Sequence, residues 1–304
     1  MTAGYLAVLS LNSSYQYFDG ESHFLTMVPR LPLEVVERII ENVATGYYDS
    51  YSDLYDFSST KACALVCHSF LPLCRKHLFA SVTLNSRSYP VPHTSDDLNQ
   101  LLSDSPHLAV YIRELDYHVH QKEFVGKRSP WLLAMFKKLV KLQKLSITYL
   151  PGKKLDWMSS SGRKVLLPLL HLPTLNSISL SAIRNFPLAD LTSCVNLKNL
   201  HIGSLECSKP NGVGKFLEAL PPTPAMLEEL TIDARNASVK PLQQLCRAQR
   251  PDGKPIIDIS SLMKFTATVA RLDSMTEFFG MWRNLRKIDL ISMSLLHLII
   301  PSSI

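Results

Sequence analysis

No apolar run in this 304-residue chain approaches the roughly 20 residues that span a bilayer. The early apolar stretch from Tyr5 to Leu11 has no basic residue before it, the wrong flank for a secretory signal. The closing LLHLII, Leu295 to Ile300, is short and runs into Pro301. No Gly-rich phosphate loop follows any strand-like segment, which disfavours a nucleotide-binding α/β fold. Gly-x-Ser-x-Gly, His-Glu-x-x-His and paired-carboxylate motifs are absent, so no catalytic residue is assigned. A dense charge run is also missing. The net charge of +6 comes from 32 basic residues scattered among 26 acidic ones, whereas a nucleic-acid binder concentrates its basic groups on one face. Cysteine is sparse: Cys63, Cys67 and Cys74 share one helical region, and Cys194, Cys207 and Cys246 lie far apart. That is no disulfide framework, and a reducing compartment is the expectation.

What is present is material for a core. Hydrophobic residues make up 46% of the chain, enough for one large domain or two ordinary ones.

The most informative stretch runs from residue 31 to residue 84. It begins LPLEVVERIIENV and, after a Tyr- and Asp-rich break, resumes as KACALVCHSFLPLCRKHLFASVTL. Pro32 suits a first helical turn, where its missing N–H leaves nothing unpaired. Glu34 and Glu37 sit near the positive end of the helix dipole. Val36, Ile39, Ile40 and Val43 then recur at helical spacing. A second helix is expected through Ala62, Leu65, Val66 and Phe70, and a third from Pro72 through Leu73, Leu78 and Phe79. Such a segment has no chemical centre and reads as a docking surface.

Taken in order, Leu31-Pro32-x-Glu34, Ile39-Ile40, Leu65-Val66-Cys67-His68-Ser69-Phe70 and Leu78-Phe79 resemble an F-box, over about a fifth of the chain. The resemblance implies a small helical domain that binds the adaptor subunit of an SCF-type ubiquitin ligase, and through it a cullin. It implies adaptor contacts from Leu31, Pro32, Glu34, Val35, Ile39, Ile40, Leu65, Val66, Phe70 and Leu78. Neither a cofactor nor a metal follows from it. Two features depart from the family pattern. Ala44 to Ser58 is longer than the usual connection, and Phe70 stands where many members carry Trp. Lengthening a loop costs only about 0.6 kcal/mol per doubling, so the insertion is expected to loop out.

Beyond residue 84 an apolar-x-x-apolar-x-apolar pattern recurs. Copies are Ile112/Leu115/Tyr117, Leu142/Leu145/Ile147, Leu175/Ile178/Leu180, Leu197/Leu200/Ile202, Leu227/Leu230/Ile232, Leu262/Phe265/Ala267 and Leu285/Ile288/Leu290. Successive starts are 30, 33, 22, 30, 35 and 23 residues apart, longer and less regular than the roughly 20–29 of a leucine-rich repeat. Helical spacing falls between them at Leu132/Met135/Phe136/Leu139, Val165/Leu166/Leu169, Val213/Phe216/Leu217/Leu220, Leu242/Leu245/Cys246 and Met275/Phe278/Phe279/Trp282. Strands alternating with helices predict a parallel sheet.

The expected fold is α/β. An N-terminal extension (1–24) precedes a three-helix F-box-like domain (25–84). Residues 85–304 then form a degenerate leucine-rich-repeat-like solenoid with a curved parallel sheet. This order resembles substrate receptors of SCF ligases, which implies an unidentified protein target and a cytoplasmic or nuclear location. No nucleic-acid or membrane partner is expected. The alternative is a repeat scaffold for protein interaction, capped by the three helices and without a ligase role.

Because side chains alternate along a strand, the polar residues between the apolar ones should line one face. Asp116, His118, Ser146, Ser179, His201, Thr231 and Asp289 are the candidate target-binding positions. Asp116, His118 and His120 share a strand face but fall short of a complete metal site. Cys63, Cys67, Cys74 and His77 lack the knuckle spacing of zinc ligands, and buried cysteine behaves as a small hydrophobe. The YYDSYSDLYDF loop, with Tyr47, Tyr48, Tyr51 and Tyr55, is read as an exposed insertion.

Overall fold

A computed structural model of the chain describes residues 32–45, 57–85, 94–119, 128–149, 154–158, 161–207, 221–234, 240–269 and 287–292. Leu31, His120, most of the Ala44–Ser58 insertion, the helices expected at 213–220 and 275–282, Leu285 and the apolar tail lie outside these residues. The fold is mixed α/β, and the chain divides into two compact units, one ending at Leu78 and one beginning at Phe79.

The first unit holds α1 (Leu33–Thr45), α2 (Ser58–Ala64) and α3 (Phe70–Leu78). Val36 and Ile40 from α1, Ala64 from α2 and Cys74 from α3 form its buried core, with Cys63, Phe70, Leu71, Leu73 and Leu78 packed against it. Lys76 Nζ meets Glu37 Oε1 at 2.9 Å, tying α3 to α1 at the surface. The second helix is shorter than expected. It stops at Ala64, and Leu65 and Val66 form a turn whose N–H groups reach only three residues back, to the Ala62 and Cys63 carbonyls at 3.1 and 3.2 Å. Phe70 opens the third helix instead of closing the second. Pro72 is tolerated there because the first N–H groups of a helix have no intrahelical acceptor.

The second unit is built on an eight-stranded sheet, all parallel, in which each strand lies beside the next one in the sequence. Its strands are β1 (Ser81–Asn85), β2 (Glu114–Val119), β3 (Lys144–Tyr149), β5 (Ser177–Ser181), β7 (Asn199–Gly203), β9 (Glu229–Ala234), β11 (Lys264–Val269) and β12 (Lys287–Ser292). Two-residue strands β4 (Leu155–Asp156) and β6 (Ile183–Arg184) pair with each other, as do β8 (Ala225–Met226) and β10 (Ile257–Asp258). The first strand was not foreseen. Phe79, Val82 and Leu84 repeat the apolar pattern one copy earlier, so Ser81–Asn85 joins the sheet although it falls inside the span assigned to the helical domain.

The helices α4 (Ser95–Asp104), α5 (Arg128–Phe136), α6 (Ser161–Leu170) and α7 (Lys240–Arg247) lie between strands. Thr94 and Asp97 cap α4 reciprocally: the Asp97 N–H donates to Thr94 Oγ1 at 3.2 Å, and the Thr94 N–H to Asp97 Oδ2 at 2.8 Å. In the short interval after β6 the chain makes a 3-10 turn (Leu188–Leu191).

The stacking has a repeated backbone device. One carbonyl ahead of each strand accepts two N–H groups from the next repeat. Arg113 accepts from Gln143 and Lys144, Gln143 from Asn176 and Ser177, Asn176 from Lys198 and Asn199, Lys198 from Glu228 and Glu229, and Glu228 from Met263 and Lys264. Ile112, Leu142, Leu175, Leu197, Leu227 and Leu262, just before these positions, are all buried. Leucine recurs there because each repeat must bury an anchor as its chain turns into the sheet.

Candidate functional site

Two surfaces stand out, one in each unit. In the helical unit, Leu33, Val35, Ile39, Leu65 and Val66 are 60, 42, 46, 63 and 68% exposed. Exposed apolar side chains mark an interaction site where they form a contiguous patch. Pro32 and Glu34 are exposed beside them, and Phe70 and Leu78 are half-buried supports. Ile40 is corrected: expected at the adaptor surface, it is buried with Val36, Ala64 and Cys74. The 3.6-residue period turns it inward while Val35 and Ile39 stay out. Leu33 was missed, because the Leu31-Pro32-x-Glu34 string passes over it as the unspecified residue.

In the sheet unit, the register assembles the expected polar residues into rows. Asp116 pairs with Ser146, Ser146 with Ser179, Ser179 with His201 and His201 with Thr231. Thr231 pairs with Thr266, and Thr266 with Asp289. Six of the seven candidate positions thus form one continuous row. His118 occupies the adjacent row with Thr148, Ser181, Gly203, Asp233 and Thr268. Leu115, Tyr117, Leu145, Ile147, Ile178 and Leu180, which alternate with these residues, are buried. A third row carries charge in opposed pairs: Lys144 Nζ lies 2.6 Å from Glu114 Oε1, and Lys264 Nζ 3.4 Å from Glu229 Oε2.

His118 Nε2 lies 3.0 Å from Asp116 Oδ2. The Asp116 hydrogen bond is the main cause of a raised His118 pKa, opposed by burial. For Asp116 burial is the largest influence and pushes the pKa up. Hydrogen bonding from His118 and Ser146, with the His118 charge, outweighs it and holds the carboxyl below its ordinary range. Burial pushes the His201 pKa down, against the pull of the Asp233 charge. Among the described residues no group of three or more His, Cys, Asp or Glu side chains is placed to hold a metal ion. This face offers hydroxyls and paired charges.

The cysteines divide by environment. Cys74 and Cys194 are buried, Cys67 is exposed, and Cys63, Cys207 and Cys246 are intermediate. Burial pushes the Cys194 thiol up to about 12, with the Asp190 charge adding to it. Among the described residues no helix is long and apolar enough to cross a membrane. Compared with protein-family models and with curated proteins, the chain matches none.

Proposed function

We propose that this chain is a non-catalytic substrate receptor of an SCF-type cullin-based E3 ubiquitin ligase, acting in the cytoplasm or nucleus. In this reading the helical unit is an F-box that holds the ligase adaptor. The sheet unit is a degenerate leucine-rich-repeat solenoid that binds a target protein through its polar rows. The supporting observation is the exposure of the large apolar side chains Leu33, Val35, Ile39, Leu65 and Val66, on the segment whose ordered residues resemble the F-box. Docking would remove that surface from water at roughly 25 cal/mol per Å² of apolar area.

The test is direct binding of the purified chain to purified adaptor. The wild-type chain should bind, and Leu65→Ala with Val66→Ala should weaken binding by about tenfold or more, as loss of central apolar anchors does. Both side chains are exposed, so circular dichroism should be unchanged. A chain that folds yet never binds the adaptor is the repeat scaffold without a ligase role.

A further inference from the structure

Residues 221–226 read Pro-Pro-Thr-Pro-Ala-Met and lead into β8. Thr223 is exposed, in a bend that belongs to no helix or strand. The prolines keep it so. Pro224 biases Thr223 away from the helical region, and neither Pro222 nor Pro224 has an N–H to give to a ladder. The chain has two other hydroxyl-proline pairs, Ser105-Pro106 and Ser129-Pro130. Ser105 is half-buried between α4 and the next 3-10 helix, its N–H tied to the Leu101 carbonyl at 2.8 Å. Ser129 lies within α5. Of the three, Thr223 alone is an exposed residue outside helical backbone. A kinase groove that offers no acceptor to the residue after the hydroxyl selects proline there, because proline has no N–H to leave unpaired.

Two cations from one hairpin hold the carbonyls just ahead of Thr223. The Arg250 N–H donates to the Lys254 carbonyl at 2.8 Å and the Ile256 N–H to the Ala248 carbonyl at 3.1 Å, closing the hairpin. From it, Lys254 Nζ donates to the Pro222 carbonyl at 2.9 Å, and Arg250 Nη2 donates to the Pro221 carbonyl. Ala225 of β8 pairs with Ile257 of β10. Counted back two residues, the same parallel register brings Thr223 level with Pro255, next to Lys254. The charges at this corner are not matched. The Arg250 side chain is 1% exposed, and Asp252 Oδ2 lies 3.1 Å from its Nη2. Its Nε and Nη1 find no acceptor among the described residues. Lys254 is bonded to a neutral carbonyl. Buried donors left without acceptors are the exception in folded proteins and point to a missing ion or water.

We propose that Thr223 is a phosphorylation site for a proline-directed protein kinase, and that Lys254, with the buried charge of Arg250 behind it, receives the phosphate. Thr223 Oγ attacks the γ-phosphorus of ATP. The Oγ–P bond forms, the bond from that phosphorus to the β,γ-bridging oxygen breaks, and ADP leaves with the electron pair. The hydroxyl proton passes to the kinase's general base. The product carries a charge near −2 and three acceptor oxygens. Pairing with Lys254 ties the bend at Thr223 to the hairpin. The site lies in the sheet unit and is independent of the ligase reading.

The test incubates the full chain with ATP and a purified mitogen-activated, proline-directed kinase, with a known acceptor protein phosphorylated in the same reaction. Tryptic peptide 216–235, which holds Thr223 and Thr231, should gain one phosphate, assigned to Thr223 by fragmentation. Thr223→Ala should leave that peptide unmodified. Phosphate at Ser105 or Ser129 without any at Thr223, or none on the chain while the acceptor protein is labelled, overturns the site. Phosphorus NMR then reads the receptor. The second ionisation of a free phosphothreonine falls near pH 6, and a facing cation should lower it by about half a unit in the folded chain relative to phosphopeptide 216–235. Lys254 is exposed, so Lys254→Met should fold and remove most of that difference. An ionisation equal in chain and peptide, or unchanged by Lys254→Met, overturns the receptor role.

Discussion

Gly203 shows how a single atom is rationed on the polar face. A Cβ at this position would overlap Ser181 Oγ in the neighbouring strand and sit 3.4 Å from His201 Nε2. Gly203→Ala should therefore destabilise the chain by about 1–3 kcal/mol, the usual cost of overpacking. Adding Ser181→Ala removes the blocking oxygen and should recover most of that loss in urea denaturation. A single substitution that leaves the midpoint unchanged would mean that Ser181 simply rotates away. The Asp116–His118 pair makes a second prediction at this scale. Because the folded His118 pKa is raised above 6.5, its contribution is full below that value and is lost as pH rises through the folded pKa. Because the folded Asp116 pKa is lowered below 3.8, its contribution holds above that value and is lost as pH falls through the folded pKa. The stability gap between wild type and His118→Gln should then be widest near about pH 5 and shrink toward about pH 8.5. A gap that is constant across that range in urea midpoints would remove the ion pair from the account.

At the scale of elements, Asp190 joins three pieces of chain that no local pattern connects. Its carboxylate accepts from Trp157 Nε1 at 2.8 Å, just after β4, and from Arg163 Nε and Nη2 at 2.9 and 2.8 Å, on α6. Asp190 itself lies in the 3-10 turn, and His171 Nε2 sits 3.2 Å from its backbone oxygen. Trp157 packs on Phe186 with ring centroids 5.1 Å apart, so the cluster has a dry wall. Removing one partner of a buried ion pair leaves the other uncompensated. Asp190→Ala should cost about 3–5 kcal/mol, and combining it with Arg163→Met should cost less than the single change. Equal losses in thermal unfolding would show that the Trp157 contact, not the charge of Arg163, dominates. The sequence offered little warning of this cluster, because Trp157, Arg163 and Asp190 fall outside the apolar repeat.

At the scale of the whole molecule, legibility followed the range of the forces involved. The parallel sheet was readable because Leu115/Tyr117, Leu145/Ile147 and their counterparts alternate with polar residues, and alternation is a property of each strand alone. The rows Asp116–Ser146–Ser179–His201–Thr231 could be anticipated as positions, since equal offsets from a buried leucine become neighbours once strands pair in register. The boundary between the units was harder to read. Phe79/Val82/Leu84 carry the repeat pattern, yet they follow α3 without a break and were taken with the helices. Ile40 was misassigned because periodicity shows that a helix has two sides without naming its neighbour.

By itself the sequence determined most strands of the main sheet and which residues of each are apolar, because these depend on backbone period and local propensity. Only the tertiary structure decided that Leu65 and Val66 stand exposed on a turn, that Ile40 is core, and that Asp190 links Trp157 to Arg163. Those outcomes depend on which surfaces meet, and burial is settled between elements rather than within them.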